Sequence, residues 1–235
     1  MEKFRILSGK IEFPVLLACL IIALGVWGFV ELIDVARETT PHSFDTEILL
    51  AFRTPGQPDN PIGPFWMEEA VRDITSLGSV SVLLVITLST IFYLLIQRKF
   101  AASLFIAVAV IGGQLLSSLL KLGVDRPRPD LVPKLMEVHT LSFPSGHAML
   151  SAVIYITLGS QLANLMPDRM SKIYVLSVAL LVTVMVGISR IYLGVHWPSD
   201  VLAGWCAGLA WAMLCWLIAR YLIGQKPGSH KNTKG

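Results

Sequence analysis

The 235-residue chain is 54% hydrophobic and only 15% charged, with a mean hydropathy of +0.66. A soluble domain averages roughly 25% charged residues, so a single water-solvated core cannot hide this much apolar surface, and lipid is the expected solvent. The net charge of +3 is small and its cations are scattered, which excludes a nucleic-acid-binding stripe.

Six stretches are long enough to cross a bilayer, which takes roughly 17–25 apolar residues. The first is Phe13 to Val30. It is too long for a signal-peptide core, and the polar run Glu31 to Glu38 follows it in place of a small-residue cleavage site, so it reads as retained. Residues 34–74 form the longest polar stretch. Within them Phe44, Ile48, Leu49 and Phe52 share one helical face, and Trp66 to Ile74 also has helical spacing, which predicts two short helices at the membrane surface. Between these, Pro55, Gly56, Pro58, Pro61, Gly63 and Pro64 argue against regular structure. The loop reads either as a lid over a lipid entrance or as a solvated connector.

The second span is predicted from Thr75 to Ile96 and the third from Phe100 to Leu120, joined by a tight turn at Gln97–Arg98–Lys99. The fourth runs from Ala148 to Met166, the fifth from Ile173 to Ser189 and the sixth from Val201 to Ala219. Residues 1–225 thus read as one all-α, six-helix membrane bundle with short surface helices in its first extracytoplasmic loop. The basic, Gly/Ser/Asn-containing tail 226–235 is expected to be disordered. Cys19, Cys206 and Cys215 lie in apolar runs and fit neither a disulfide framework nor a zinc site, so they read as small residues packing between helices. His42 and His139 read as solvated loop residues, and His230 belongs to the tail.

Loop charge sets the expected orientation. With the N-terminus inside, eleven of the 19 Lys and Arg fall in cytoplasmic segments and eight outside. Three of the eight, Lys121, Arg128 and Arg190, are candidates for chemistry, and the remainder favours both termini cytoplasmic.

Ionisable residues near spans are expensive and are functional candidates by default. Three clusters stand out: Lys121 to Pro129 after the third span, Pro144-Ser145-Gly146-His147 before the fourth, and Ser189-Arg190 with His196 and Asp200 across the fifth-to-sixth turn. Six spans put all three on the outer side. Lys121, Arg128 and Arg190 supply the cations that a phosphate dianion needs. Ser145 and Gly146 precede a helix, whose N-terminal N–H groups and dipole favour an anion. Asp200, four residues beyond His196, is placed to fix that imidazole's tautomer and strengthen its other nitrogen as a nucleophile. His147 is placed to protonate a leaving alkoxide and then activate water. A bell-shaped pH dependence follows if both protonation states limit the rate. Arg126–Pro127 reads mainly as shaping the turn. No carboxylate pair near the clusters would hold magnesium, so neither metal nor cofactor is expected.

These clusters resemble the signature of the type 2 phosphatidic acid phosphatase superfamily: Lys, six residues, Arg-Pro; then Pro-Ser-Gly-His; then Ser-Arg, five residues, His, three residues, Asp. The resemblance covers Lys121 to Asp200 without a departure. It implies His196 as nucleophile, Asp200 as its orienting group, His147 as acid/base, and Lys121, Arg128, Ser145, Gly146 and Arg190 as phosphate ligands. It implies six helices with an extracytoplasmic site, as in a bacterial inner membrane. The implied substrates are phosphatidic acid, phosphatidylglycerophosphate, undecaprenyl pyrophosphate or related lipids. Transfer of the phosphohistidine phosphate to another lipid remains the competing enzymatic reading. A vanadate-dependent haloperoxidase shares the signature but is soluble. A non-enzymatic transporter or scaffold would place its charges nearer the bilayer midplane. Nothing marks an obligate protein partner.

Overall fold

The computed structural model describes residues 12–38, 40–138 and 140–223. The predicted tail 226–235 and His139 lie outside these residues. Eight helices are described: α1 (Phe13–Arg37), α2 (Ser43–Ala51), α3 (Phe65–Ser76), α4 (Val80–Ile96), α5 (Phe100–Lys121), α6 (Gly146–Ala163), α7 (Arg169–Tyr192) and α8 (Pro198–Ile223). Two short strands, β1 (Arg53–Thr54) and β2 (Gln57–Pro61), make an antiparallel ribbon between α2 and α3.

Local chemistry explains most helix boundaries. Pro14 suits the first turn of α1, where its missing N–H costs nothing. The imidazole of His42 accepts from the Phe44 N–H and caps α2, so this exposed histidine has a local task. Ser79 caps α4 through the Val82 N–H at 3.4 Å, and Asp168 caps α7 through the Ser171 N–H at 2.9 Å. Helix α1 continues through Glu31 to Arg37, past the predicted end of the first span: the polar run is helical.

Helices α1, α5, α7 and α8 are each long and apolar enough to cross a membrane. Helices α3 and α4 make one further candidate, a pair bent by 45° at residues 77–79. The predicted second span therefore begins inside α3, and its continuous helix is broken at Gly78–Ser79. Helix α6 is the innermost: it packs on α5, α7 and α8, and Ala148 through Ile154 are buried without interruption. It is not among the helices that qualify as spans by length and composition.

The outer faces are apolar. Leu16 and Trp27 of α1, Val85 and Phe92 of α4, Leu104 and Ile111 of α5, and Tyr174 and Leu181 of α7 are all exposed. Such a surface is stable against hydrocarbon. Inside it, indole N–H groups tie helices together: Trp211 donates to the Ala109 carbonyl of α5 at 2.8 Å, and Trp205 to the Thr183 carbonyl of α7 at 3.2 Å. Cys215 is buried and Cys206 half-buried, as packing residues should be, whereas Cys19 faces outward from α1.

The ribbon corrects the expectation of irregular chain at residues 55–64. Proline is tolerated on an unpaired strand edge, and Pro58 and Pro61 lie on β2, a strand with only one neighbour. The ribbon and α2 lie over the ends of α7 and α8: Leu49 packs with Ile191, Trp197 and Val201, and Phe52 meets Tyr192 edge-on.

Candidate active site

The three charged clusters meet where the end of α5, the start of α6 and the α7–α8 turn come together. Lys121 closes the last turn of α5. A Cβ placed on Gly146 would lie 3.7 Å from Lys121 Cε, so the ammonium stem runs beside the N-terminus of α6. Ser145 caps that helix by accepting the Ala148 N–H at 3.5 Å, and its own N–H donates to the Asp200 carbonyl at 3.0 Å. The Ser145 N–H is therefore committed to α8, while its hydroxyl hydrogen remains available to an acceptor. Gly146 and His147 occupy the first helical positions, whose N–H groups have no partner within the helix.

The α7–α8 turn places His196 with both ring nitrogens engaged. Nδ1 faces Asp200 Oδ2 at 3.4 Å, and Nε2 faces Arg128 Nη1 at 3.2 Å. A carboxylate beside Nδ1 holds the proton there, leaving the Nε2 lone pair toward the cations. His196 is only 2% exposed. Burial depresses its pKa to about 3; Asp200 opposes this, and Arg128 and Arg190 add to the depression. The imidazole is thus neutral at ordinary pH. Arg128 is also held below the usual guanidinium value by burial, with Asp200 opposing.

The cations converge from three directions. Arg128 Nε donates to the Thr140 carbonyl at 2.8 Å and Nη2 to Thr140 Oγ1 at 3.1 Å, while Lys121 Nζ donates to the Leu141 carbonyl at 2.9 Å. Both long cations thus hold the same peptide segment. Arg190 is buried in α7 and donates through Nη1 to Thr75 Oγ1 and to Met136 Sδ, each at 3.0 Å; its Nε has no partner. His147 is half-buried, within electrostatic reach of Arg190, His196, Lys121 and Arg128. A cradle of three cations beside a helix N-terminus and a neutral, oriented imidazole is suited to a tetrahedral oxyanion. Among the described residues, no three His, Cys, Asp or Glu side chains gather as a metal site.

The PAP2 superfamily profile matches residues 101–223, which include all three clusters. The chain belongs to the PAP2 superfamily, as a membrane lipid phosphatase. Phosphatidylglycerophosphatase B of Bacillus subtilis is 37% identical over 147 residues, 61% of this chain and 71% of that protein. The undecaprenyl-diphosphatase of Sulfolobus acidocaldarius is 37% identical over 67 residues, 28% of each chain. The crystal structure of a transmembrane PAP2-type phosphatidylglycerolphosphate phosphatase from Bacillus subtilis superposes with a TM-score of 0.76 at 30% identity, covering 86% of this chain and 96% of that one. LpxE of Aquifex aeolicus, at 23% identity and a TM-score of 0.57, shares the fold. The protein is therefore an integral membrane protein with several spans and a phosphoester hydrolase of the PAP2 type.

Four residues around this PAP2 site escaped the sequence reading. Ser142 donates to Asp200 Oδ2 and lies 3.5 Å from His196 Nδ1. Thr140 lies against Lys121 and Arg128, and Thr75 against Arg190. Asp45, on α2, receives Arg126 at 2.7 Å. Arg126 itself is buried and does more than shape a turn: its other terminal nitrogen donates to Asp200 Oδ1 at 2.7 Å.

Proposed function

We propose that this protein removes phosphate from a membrane lipid through a covalent phosphohistidine on His196, without a metal. The observation that carries the reading is the placement of the two His196 nitrogens, Nδ1 at Asp200 and Nε2 at Arg128. Nε2 attacks phosphorus, the ester P–O bond breaks, and His147, which takes up a proton when the phosphate dianion enters among the cations, gives that proton to the departing alkoxide. His147 then takes a proton from water, the oxygen attacks phosphorus, and the P–N bond breaks to release inorganic phosphate. Lys121, Arg128 and Arg190, with the Ser145 hydroxyl and the Gly146 N–H, stabilise the charge on the five-coordinate phosphorus.

The substrate class follows from the relatives and from the setting. Phosphatidylglycerophosphatase B is matched over far more of its length than the undecaprenyl-diphosphatase, which favours a phospholipid phosphomonoester over a polyprenyl diphosphate. A site at the end of apolar helices meets a head group whose tails stay in the bilayer. In this reading α6 is a sixth, shielded span, both termini are cytoplasmic, and the site faces the extracytoplasmic side of a plasma membrane.

The test is phosphate release by purified, detergent-solubilised protein with EDTA present. Phosphatidic acid, phosphatidylglycerophosphate and undecaprenyl pyrophosphate are offered in parallel, with His196→Ala and Asp200→Asn as controls. Release that persists in EDTA, disappears in His196→Ala and is fastest from phosphatidylglycerophosphate is the expected result. Undiminished release by His196→Ala would remove the phosphohistidine. Label appearing on an acceptor lipid, with little free phosphate, would replace hydrolysis by transfer.

A further inference from the structure

The first extracytoplasmic segment reaches the reaction centre through one carboxylate. Asp45 stands in the first turn of α2, outside the three clusters, and is fully buried. Both of its oxygens are used. Oδ1 accepts the Ser199 N–H at 2.8 Å; Oδ2 accepts the Ser199 hydroxyl at 2.6 Å and Arg126 Nη2 at 2.7 Å. Ser199 belongs to the first turn of α8, so Asp45 serves that N-terminus as a capping anion supplied from another helix. Arg126 stands over the Trp197 ring at 5.5 Å and spans Asp45 and Asp200 with its two terminal nitrogens. Asp200 in turn faces His196.

We propose that Asp45 and Arg126 are positioning residues for the nucleophile: they lock Asp200 and set how strongly it accepts the His196 Nδ1 proton. The inference rests on His196 being the nucleophile. Its physical basis is charge sharing. A guanidinium given wholly to Asp200 would draw negative charge away from the acceptor of the Nδ1 proton. Divided between two carboxylates, the same guanidinium fixes Asp200 in place and leaves it a stronger acceptor. When the bond from Nε2 to phosphorus forms, the imidazole ring becomes positive, and an anionic Asp200 stabilises it. The other groups facing His196 are cationic or neutral: Arg128 from the loop after α5, His147 from α6 and Arg190 from α7, with Lys121 of α5 beside His147 and Asp200. Asp45 and Asp200 are therefore the anionic side of the site.

Asp45→Asn keeps the shape and removes the charge. The test measures kcat, KM and the pH profile of the full chain in detergent, with p-nitrophenyl phosphate as the soluble probe and phosphatidic acid as the lipid. The expected result is a kcat lower by about 10- to 100-fold, the scale of outer partners around ligating histidines, with KM changed by less than about 3-fold and the acid limb displaced to lower pH. Trapped phosphohistidine forms more slowly in proportion to kcat. Because a buried guanidinium without its second carboxylate endangers folding, the single variant Arg126→Gln and the double variant Asp45→Asn/Arg126→Gln, which removes both charges, are measured beside it. The double variant is expected to lose less than the product of the two single effects, the sign of a coupled pair. An Asp45→Asn enzyme with unchanged kcat and pH profile, or strictly multiplicative effects in the cycle, would overturn the proposal while leaving the phosphohistidine intact. A wild type that forms no phosphohistidine would instead sink the reading on which it rests.

Discussion

Arg190 Nη1 donates to Thr75 Oγ1 at 3.0 Å, joining a buried cation of α7 to the last turn of α3 across 115 residues of sequence. Arg190 is only 1% exposed, and its Nε has no partner. The guanidinium is thus held at one end by the Thr75 hydroxyl and the Met136 sulfur, while its Nε is buried without a partner. Thr75→Val keeps the shape and removes the acceptor. A hydrogen bond to a charged group is worth about 1.5–3 kcal/mol, so kcat/KM is expected to fall roughly 10- to 100-fold, mostly through KM, with Thr75→Ser restoring it. Equal kinetics for the valine and serine variants would show that Met136 and packing alone hold Arg190.

The bend between α3 and α4 has a second contact with the chemistry. A Cβ on Gly78 would lie 2.4 Å from Val186 Cγ1 and 3.3 Å from His147 Cδ2, so the elbow passes directly over His147 and α7. Tyr155 fastens the same elbow by donating to the Leu77 carbonyl at 2.8 Å. Gly78→Ala must displace the elbow or Val186, and overpacking of this kind costs about 1–3 kcal/mol. The expected outcome is a lower Tm together with a fall in kcat. A Tyr155→Phe variant, which loosens the elbow without crowding His147, should lower Tm with kcat nearly unchanged. Comparing the two by thermal unfolding and steady-state kinetics separates crowding of His147 from general loosening.

The buried His196 links stability to pH. Its folded pKa, about 3, lies below the ordinary histidine value near 6.5 because burial penalises the imidazolium more than Asp200 favours it. The unfolded chain therefore takes up a proton before the folded chain does. Stability from this group is fully present above about pH 6.5 and is lost as pH falls from there toward 3. The detergent-solubilised wild type should show a Tm that declines through this window, and His196→Gln should flatten the decline. The same depression moves the His196 contribution to the acid limb of kcat/KM well below pH 6.5. A wild-type Tm independent of pH between 4 and 7 would mean that His196 is charged, or exposed, in the folded protein.

The sequence displayed relationships that are local along the chain and concealed those that close across it. His196 and Asp200 are four residues apart at a helix start, so their partnership followed from spacing. So did the placing of Ser145 and Gly146 at a helix start and the extent of α5, whereas α6 ends at Ala163, three residues short of the predicted Met166. The tie from Thr75 to Arg190 has no such signature, and by composition Thr75 reads as the start of a continuous span. Gly78 followed by a capping Ser79 was the available sign of the break. Asp45 offered a clearer clue. It lies four residues before Leu49 and seven before Phe52, on the face predicted to be apolar, and a carboxylate there requires a buried partner. Arg126 remained ambiguous because nothing in its own segment identifies Asp45, 81 residues away, as the group that holds it.

The crossing of α6 and α8 fixes how the start of α6 meets the α7–α8 turn that carries His196. A Cβ on Gly204 would lie 2.7 Å from the Ser145 carbonyl and 3.1 Å from the Met149 nitrogen, both backbone atoms of the α6 N-terminus. Small residues let membrane helices approach this closely. Here the approach also sets the geometry of the site, because Ser145, Gly146 and His147 ride on α6 while Asp200 rides on α8 and His196 on the turn before it. Gly204→Val would force the two backbones apart. Overpacking predicts a loss of about 1–3 kcal/mol in stability, and a displacement near 1 Å can cost about 100-fold in rate. The falls in Tm and in kcat/KM should appear together in Gly204→Val. A control such as Gly28→Ala, where an added Cβ meets only the flexible Cys206 Sγ at 3.3 Å, should leave activity near wild type. If Gly204→Val lowered Tm but retained full kcat/KM, the α6–α8 crossing would be a packing contact with no part in setting the site.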